Sequence, residues 1–253
     1  MESQNQKIEQ SLSSQNKNIQ DNMNMSETIT TKYLDNFTDN NVEERSVSMK
    51  DLQKMCNGRC CNMKHYFEYT YHKSKVKPFY DLDISLSKDT TQEERKQKTE
   101  ELKQSAIDLL SKYYPEGELA IASSHGMKKT IKTKNKVKHL VEVYAISFHI
   151  LVNGYEATVK DVKEFNLKHN LYGQLEGLDK AVYRDGGNMR MLYSTKPNDP
   201  RVKRPETHTQ NIYKHIIQSN KTTNHEFRPL VDFEPEKAKP EKAKPKKKSP
   251  PVS

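Results

Sequence analysis

Phe79-Tyr80-Asp81-Leu82-Asp83-Ile84 is the stretch from which the fold is read. Aromatic and branched residues alternating with polar ones predict a strand. Side chains alternate along a strand, so Asp81 and Asp83 share one face while Tyr80, Leu82 and Ile84 point into the core. Two carboxylates ~7 Å apart on a partly dry sheet repel by roughly 2–3 kcal/mol at an effective dielectric near 20. A hard divalent cation relieves that repulsion and favours oxygen ligands. A solvated Asp-x-Asp at a strand end has the same pattern without a metal.

Two other segments repeat the theme of polar pairs in apolar runs. In Tyr144-Ala145-Ile146-Ser147-Phe148-His149-Ile150-Leu151, Ser147 and His149 share one face and Ile146, Phe148 and Ile150 the other. A hydroxyl beside an imidazole can donate to phosphate, or be a satisfied core pair. The third segment, Leu178 to Lys196, has Asp179 at its start and the cations Arg190 and Lys196 downstream. Arginine grips phosphate oxygens bidentately and lysine acts as a point charge, although each would also suit an ordinary hairpin.

Outward from these segments, Phe67–Tyr71, Lys77–Ser85, Leu119–Ser123 and His139–Asn153 are predicted strands. Thr91–Tyr114 is a predicted helix, capped by Thr91 and stopped by Pro115 and Gly117. A second helix is predicted over Thr158–His169 and a third near Thr209–Ser219. Asp179–Tyr183 and Met189–Tyr193 are predicted to pair around the turn Asp185-Gly186-Gly187-Asn188. The order is roughly β-α-β-β-α-β-β, an α+β fold. Residues 1–45, rich in Gln, Asn, Ser and Thr, are expected to be a disordered arm. Residues 46–230 are the folded domain. Residues 231–253 form a disordered Lys/Pro tail, in which Glu236-Lys-Ala-Lys-Pro240 repeats as Glu241-Lys-Ala-Lys-Pro245.

Composition limits the function classes. Of 253 residues, 32% are hydrophobic and 30% charged. No apolar run approaches the ~18–20 residues of a membrane span, and no signal peptide is expected. Three cysteines make no closed disulfide set, so an intracellular, reducing setting is expected. Cys56, Cys60 and Cys61 with His65 fit no common zinc spacing. The net charge is +9, and the tail from Pro235 holds seven Lys against two Glu. A polyanion such as nucleic acid is a candidate partner; a solubilising tail is the other account. Between Gly126 and His139 lie Lys128, Lys129, Lys132, Lys134, Lys136 and Lys138, which could line a nucleic-acid path or form a solvated loop. Pro245-Lys-Lys-Lys-Ser-Pro250 reads as a nuclear address or a DNA contact.

Asp81-Leu82-Asp83, then Ser147-Phe148-His149, then Leu178-Asp179 in this order and spacing resemble the archaeo-eukaryotic primase superfamily. The likeness is nearest to the PrimPol branch and the primase part of large DNA virus primase-helicases of poxvirus type. Asp179-Lys-Ala-Val-Tyr-Arg184, Arg190, Ser194-Thr-Lys196-Pro197 and His65-Tyr-Phe-Glu-Tyr69 carry it further, over residues 60–205. The resemblance implies an RRM-like catalytic sheet beside a smaller α/β subdomain, with the active site between them. It implies a DNA primase or primase-polymerase acting on a single-stranded DNA template with nucleoside triphosphates. Asp81, Asp83 and Asp179 would hold Mg²⁺ or Mn²⁺, and Ser147, His149, Arg190 and Lys196 would bind the nucleotide. The setting would be the nucleus or a cytoplasmic viral replication site. A separate replicative helicase is an implied partner, since no Walker-type Gly-Lys-Ser/Thr loop occurs in the chain. The branch carries Lys two residues before the Ser, where this chain has Ala145; a Lys of the preceding segment is the candidate replacement. The rival reading is a primase-fold nucleic-acid-binding accessory subunit. An RRM-like RNA binder is disfavoured by the acidic face.

Overall fold

A 17-residue strand organises the fold because it has partners on both sides. The computed structural model describes residues 28–34, 42–48, 66–134, 136–196, 199–209, 211–218 and 228–230. In chain order the strands are β1 (Thr28–Leu34), β2 (Val42–Ser48), β3 (Tyr66–Thr70), β4 (Lys75–Val76), β5 (Phe79–Ser87), β6 (Glu118–Ser123), β7 (Gly126–Lys134), β8 (Val137–Asn153), β9 (Tyr155–Thr158), β10 (Gly187–Arg190), β11 (Arg204–Pro205) and β12 (Arg228–Pro229). The helices are α1 (Gln92–Tyr113), α2 (Val159–Lys168) and the short α3 (Leu171–Gln174).

The chain is α+β, and apart from a parallel β9–β12 contact its strands pair antiparallel. One sheet runs β11-β6-β8-β5, with β7 also on β8; a second runs β10-β3-β1-β2; a third runs β12-β9-β4. The strands β5, β6 and β8 and the helices α1 and α2 lie within a residue or two of their predicted bounds.

The alternation of β5 and β8 is realised as expected. Tyr80, Leu82, Ile146, Phe148 and Ile150 are buried in one cluster with Leu102, Ala106 and Leu110 of α1. Each such side chain contributes about 1.5–3 kcal/mol by leaving water. Burial of Tyr80 and Tyr114 leaves two hydroxyls to satisfy, and they bond to each other at 2.5 Å. The opposite face of the same strands is buried too, with Asp81, Ser147 and His149 set between the apolar Phe79 and Leu151.

Thr91 starts α1 through a reciprocal capping box. Its hydroxyl accepts from the Glu94 N–H at 3.2 Å, and the Glu94 carboxylate accepts from the Thr91 N–H at 2.9 Å. Thr91→Ala is expected to lower stability by about 1 kcal/mol, read as a shift in the denaturant midpoint.

Several sequence expectations are corrected. The stretch read as a disordered arm over residues 1–45 contains β1 and the start of β2, which pair with each other and bring β1 onto β3. The lysine-rich 126–139 segment is β7 and the start of β8, not a loop. Asp179–Tyr183 is not a strand: Ala181–Tyr183 is a 3-10 turn with Val182 and Tyr183 buried in succession, a pattern that period-two alternation cannot produce. Met189 and Arg190 are in a strand, but β10 pairs with β3 rather than across the 185–188 turn. The third predicted helix is one 3-10 turn, Ile212–His215, capped by the Asn211 side chain on the Tyr213 N–H. The cysteines, His65, most of the N-terminal arm and the 231–253 tail lie outside the described residues. Among the described residues, no helix is long and apolar enough to cross a membrane.

Candidate functional site

The register of β5 on β8 places Asp81 directly opposite His149 and Asp83 directly opposite Ser147. Paired residues in an antiparallel ladder project to the same side, so the acidic pair and the Ser-His pair form one polar patch. Asp179 joins it from the open edge of β5. Leu178 bridges Leu82, the Asp179 N–H donates to the Asp81 carbonyl at 2.8 Å, and the Asp83 N–H donates to Gly177 at 2.9 Å. This pairing sets Asp179 across from Asp81, while Leu178 follows Leu82 into the core. Gly177 permits the close approach: its φ is +76°, and a Cβ there would lie 3.0 Å from the Asp83 carbonyl oxygen and 2.5 Å from Ile84.

Arg190 arrives from the second sheet. It is 2% exposed, donates to the Arg201 carbonyl at 2.6 Å, and hydrogen-bonds the Ser124 hydroxyl. Lys203 is equally buried and donates to the Arg190 carbonyl at 2.6 Å. Arg201 is held by Asp199 and by the Ser124 carbonyl. The 193–203 segment folds back on itself through the Tyr193 N–H to Lys203 and the Lys203 N–H to Ser194 bonds. Tyr193 has a φ of 58° there, an unusual conformation for a non-glycine residue. Lys196 lies half-buried on this segment, close enough for its charge to act on Asp81.

Charge states follow from burial and neighbours. Burial, reinforced by the Lys203 charge, depresses His149 to about 3, so its imidazole is neutral at pH 7. Burial alone would raise Asp81, but His149, Lys196 and Lys203 outweigh it and hold the carboxyl at about 2. Burial brings Lys203 down to about 7, aided by Arg190 and opposed by Glu68 and Asp81. Arg190 falls to about 10, chiefly by burial, and stays charged.

The patch has unused hydrogen-bonding capacity. His149 Nε2 lies 3.2 Å from Asp81 Oδ1, yet neither atom is aligned for a hydrogen bond. These two atoms, His149 Nδ1 and Arg190 Nε are buried without a hydrogen-bond partner. Buried polar atoms are nearly always paired, so a cluster that leaves over two N–H donors, on His149 and Arg190, and two acceptors, on His149 and Asp81, fits a site that completes its bonding with a ligand. The hard oxygens of Asp81, Asp83 and Asp179 suit a divalent cation. Asp179 also accepts from the Ala181 N–H at 2.8 Å, and among the described residues no three His, Cys, Asp or Glu side chains already form a metal-ligand cluster.

The lysines expected to meet nucleic acid separate. Lys128 turns to Asp83, with its ammonium 3.2 Å from both carboxylate oxygens. Position 145 is alanine, and the cation beside Asp83 is Lys128 of β7. Lys129 and Lys132 stand on opposite faces of the β7–β8 ribbon.

Glu68, Lys77, Ser124, Arg201 and Lys203 were missed by the sequence reading as parts of this neighbourhood. Arg201-Val202-Lys203 did carry a signal, two cations at strand spacing in a Pro-bounded run. Burial also acts on His215, which drops to about 4 although its ring bonds the Thr207 carbonyl. The unfolded chain takes up that proton near 6.5 and the folded chain only near 4. Stability from this group is therefore complete above pH 6.5 and declines as pH falls toward 4, by roughly 3 kcal/mol. In His215→Gln, the stability slope over that window should be shallower by up to about one proton; an unchanged slope would contradict the assignment.

No protein-family model matches the chain, and a search of curated proteins finds no match to it.

Proposed function

We propose that the protein is a DNA primase or primase-polymerase, a template-directed nucleotidyltransferase that joins nucleoside triphosphates on single-stranded DNA and releases pyrophosphate. The observation that supports this reading best is the cross-strand register of Asp81 with His149 and Asp83 with Ser147, which converts two separate sequence motifs into one patch. The primase-type fold, an RRM-like sheet beside a smaller subdomain, is part of the same proposal.

Asp81, Asp83 and Asp179 would hold Mg²⁺ or Mn²⁺, which when bound lowers the cost of charge on the attacking hydroxyl and the leaving pyrophosphate. The protein's own groups bind and orient. Neutral His149 can donate an N–H to a phosphate oxygen, and the Ser147 hydroxyl can do the same. Arg190 and Lys196 counter the triphosphate charge, and Arg190 Nε is a donor with no present partner. Catalysis of this kind rests on positioning and charge neutralisation more than on covalent chemistry. A replicative helicase on a separate chain would complete the replication role.

Burial of Ser147, His149 and Arg190 to 4% exposure or less favours a second reading, a catalytically weak or inactive accessory subunit on the same scaffold. Against it, an inactive site gains nothing by keeping three carboxylates on one face at a cost in repulsion. The deciding experiment is nucleotide incorporation on single-stranded DNA with Mg²⁺ or Mn²⁺, with and without a supplied primer. Products without a primer are expected. Extension only from a supplied primer makes it a polymerase that relies on a partner to initiate. DNA binding with no product under either condition supports the accessory role.

A further inference from the structure

The ribbon formed by β7 and the first part of β8 extends past the other strands. Residues 137–142 of β8 pair with β7 alone. Such a ribbon has two faces whose membership follows from the register, and the two differ in charge.

One face continues the polar patch. Val143 and Ala145 precede Ser147 on it, and Lys128 opposite Val143 reaches Asp83. Farther out come Thr130 and Lys132, with His139 opposite Lys132. No acidic residue stands on this face between Gly126 and Ala145. The other face lies on the helix side, where Arg95 of α1 sits 4.6 Å from the Tyr144 ring centroid. There Lys129 stands opposite the acidic Glu142 in the register, and Ile131 stands opposite Leu140. Both apolar side chains are more than 60% exposed.

We infer that the Lys128–Lys132 face of the β7–β8 ribbon is a docking surface for the phosphate backbone of single-stranded DNA, and that the Lys129 face is not. Charge complementarity selects the occupant: a basic strip with no acid of its own on β7 or β8 runs from the Asp83–Lys128 pair outward to Lys132 and His139, with Lys128 and Lys132 about 13 Å apart along the strand. The choice of DNA as the polyanion rests on the nucleotidyltransferase reading; the asymmetry of the faces does not.

The test is fluorescence anisotropy of the full chain with a labelled oligothymidylate, comparing Lys132→Glu with Lys129→Glu. The two variants carry the same net charge and both change exposed side chains. Lys132→Glu is expected to weaken binding about fivefold or more and to lower the salt slope by about one, whereas Lys129→Glu changes affinity less than about twofold. Equal losses, no loss in either, or a wild-type chain that does not bind the oligonucleotide would overturn the inference, even in a protein that incorporates nucleotides. The expected asymmetry in a chain that incorporates none would uphold the surface and remove the polymerase reading.

Discussion

Asp83→Ala is expected to reduce nucleotide incorporation by about 10³-fold or more, roughly 4 kcal/mol of transition-state stabilisation, while the fold stays intact. The two halves of this expectation have separate causes. The Asp83 side chain is about one-third exposed, and its ion-pair partner is Lys128. A partly exposed pair contributes at most about 1 kcal/mol to stability. Removing Asp83 also ends its repulsion with Asp81 on the same face, which offsets that loss. The catalytic half depends on the carboxylate's place in the patch, opposite Ser147 and one alternation from Asp81. Incorporation assays on protein with an unchanged denaturant midpoint separate the two. Full activity in Asp83→Ala would exclude the carboxylate assignment. A loss of activity accompanied by unfolding would show instead that Asp83 supports the sheet.

Glu68→Ala is expected to cost about 3–5 kcal/mol of stability. Glu68 is 2% exposed, and its carboxylate accepts from the Ile217 N–H at 3.0 and 2.8 Å and from the Gln218 N–H at 3.2 Å. Burial pushes its pKa up, against the pull of those N–H groups and of Lys203 and Lys77. Truncation leaves buried N–H groups unpaired and takes a counter-charge from two buried lysines. Glu68→Gln keeps an amide oxygen for the N–H groups and removes only the charge, so its loss should be smaller. Urea midpoints at constant slope would measure both. A cost below about 1 kcal/mol for Glu68→Ala would show that the 216–218 segment is held by other contacts. Because β3 also pairs with β10, loosening at Glu68 should displace Arg190 and lower activity together with stability.

Much of the site was legible residue by residue. Asp81 and Asp83 share a face, and so do Ser147 and His149, because side-chain direction along a strand has period two and needs no partner to define it. Thr91 and Glu94 announce the start of α1 through chemistry contained within four residues. The lysine ribbon was illegible for the opposite reason. Ile131 and Leu140 are exposed and both faces meet solvent, so no burial pattern marks 126–134 as a strand. The 181–183 turn escaped because Val182 and Tyr183 are buried consecutively in one cluster, so no alternation marks the segment.

By itself, the sequence determined the two long helices α1 and α2, the strands β5, β6 and β8, and the division of Asp81, Asp83, Ser147 and His149 from their apolar neighbours. Tertiary structure alone decided that Asp81 meets His149, that Asp179 docks on the edge of β5, and that β10 joins β3 rather than its chain neighbour. It alone also placed Glu68, Lys77, Arg190 and Lys203 in the interior. The reason is physical. Alternation and capping are short-range properties of the chain, whereas register and the burial of charge depend on partners far away in sequence. A buried lysine such as Lys203 has no local mark, because the carbonyl and carboxylates that offset its desolvation are brought to it only when the sheets assemble.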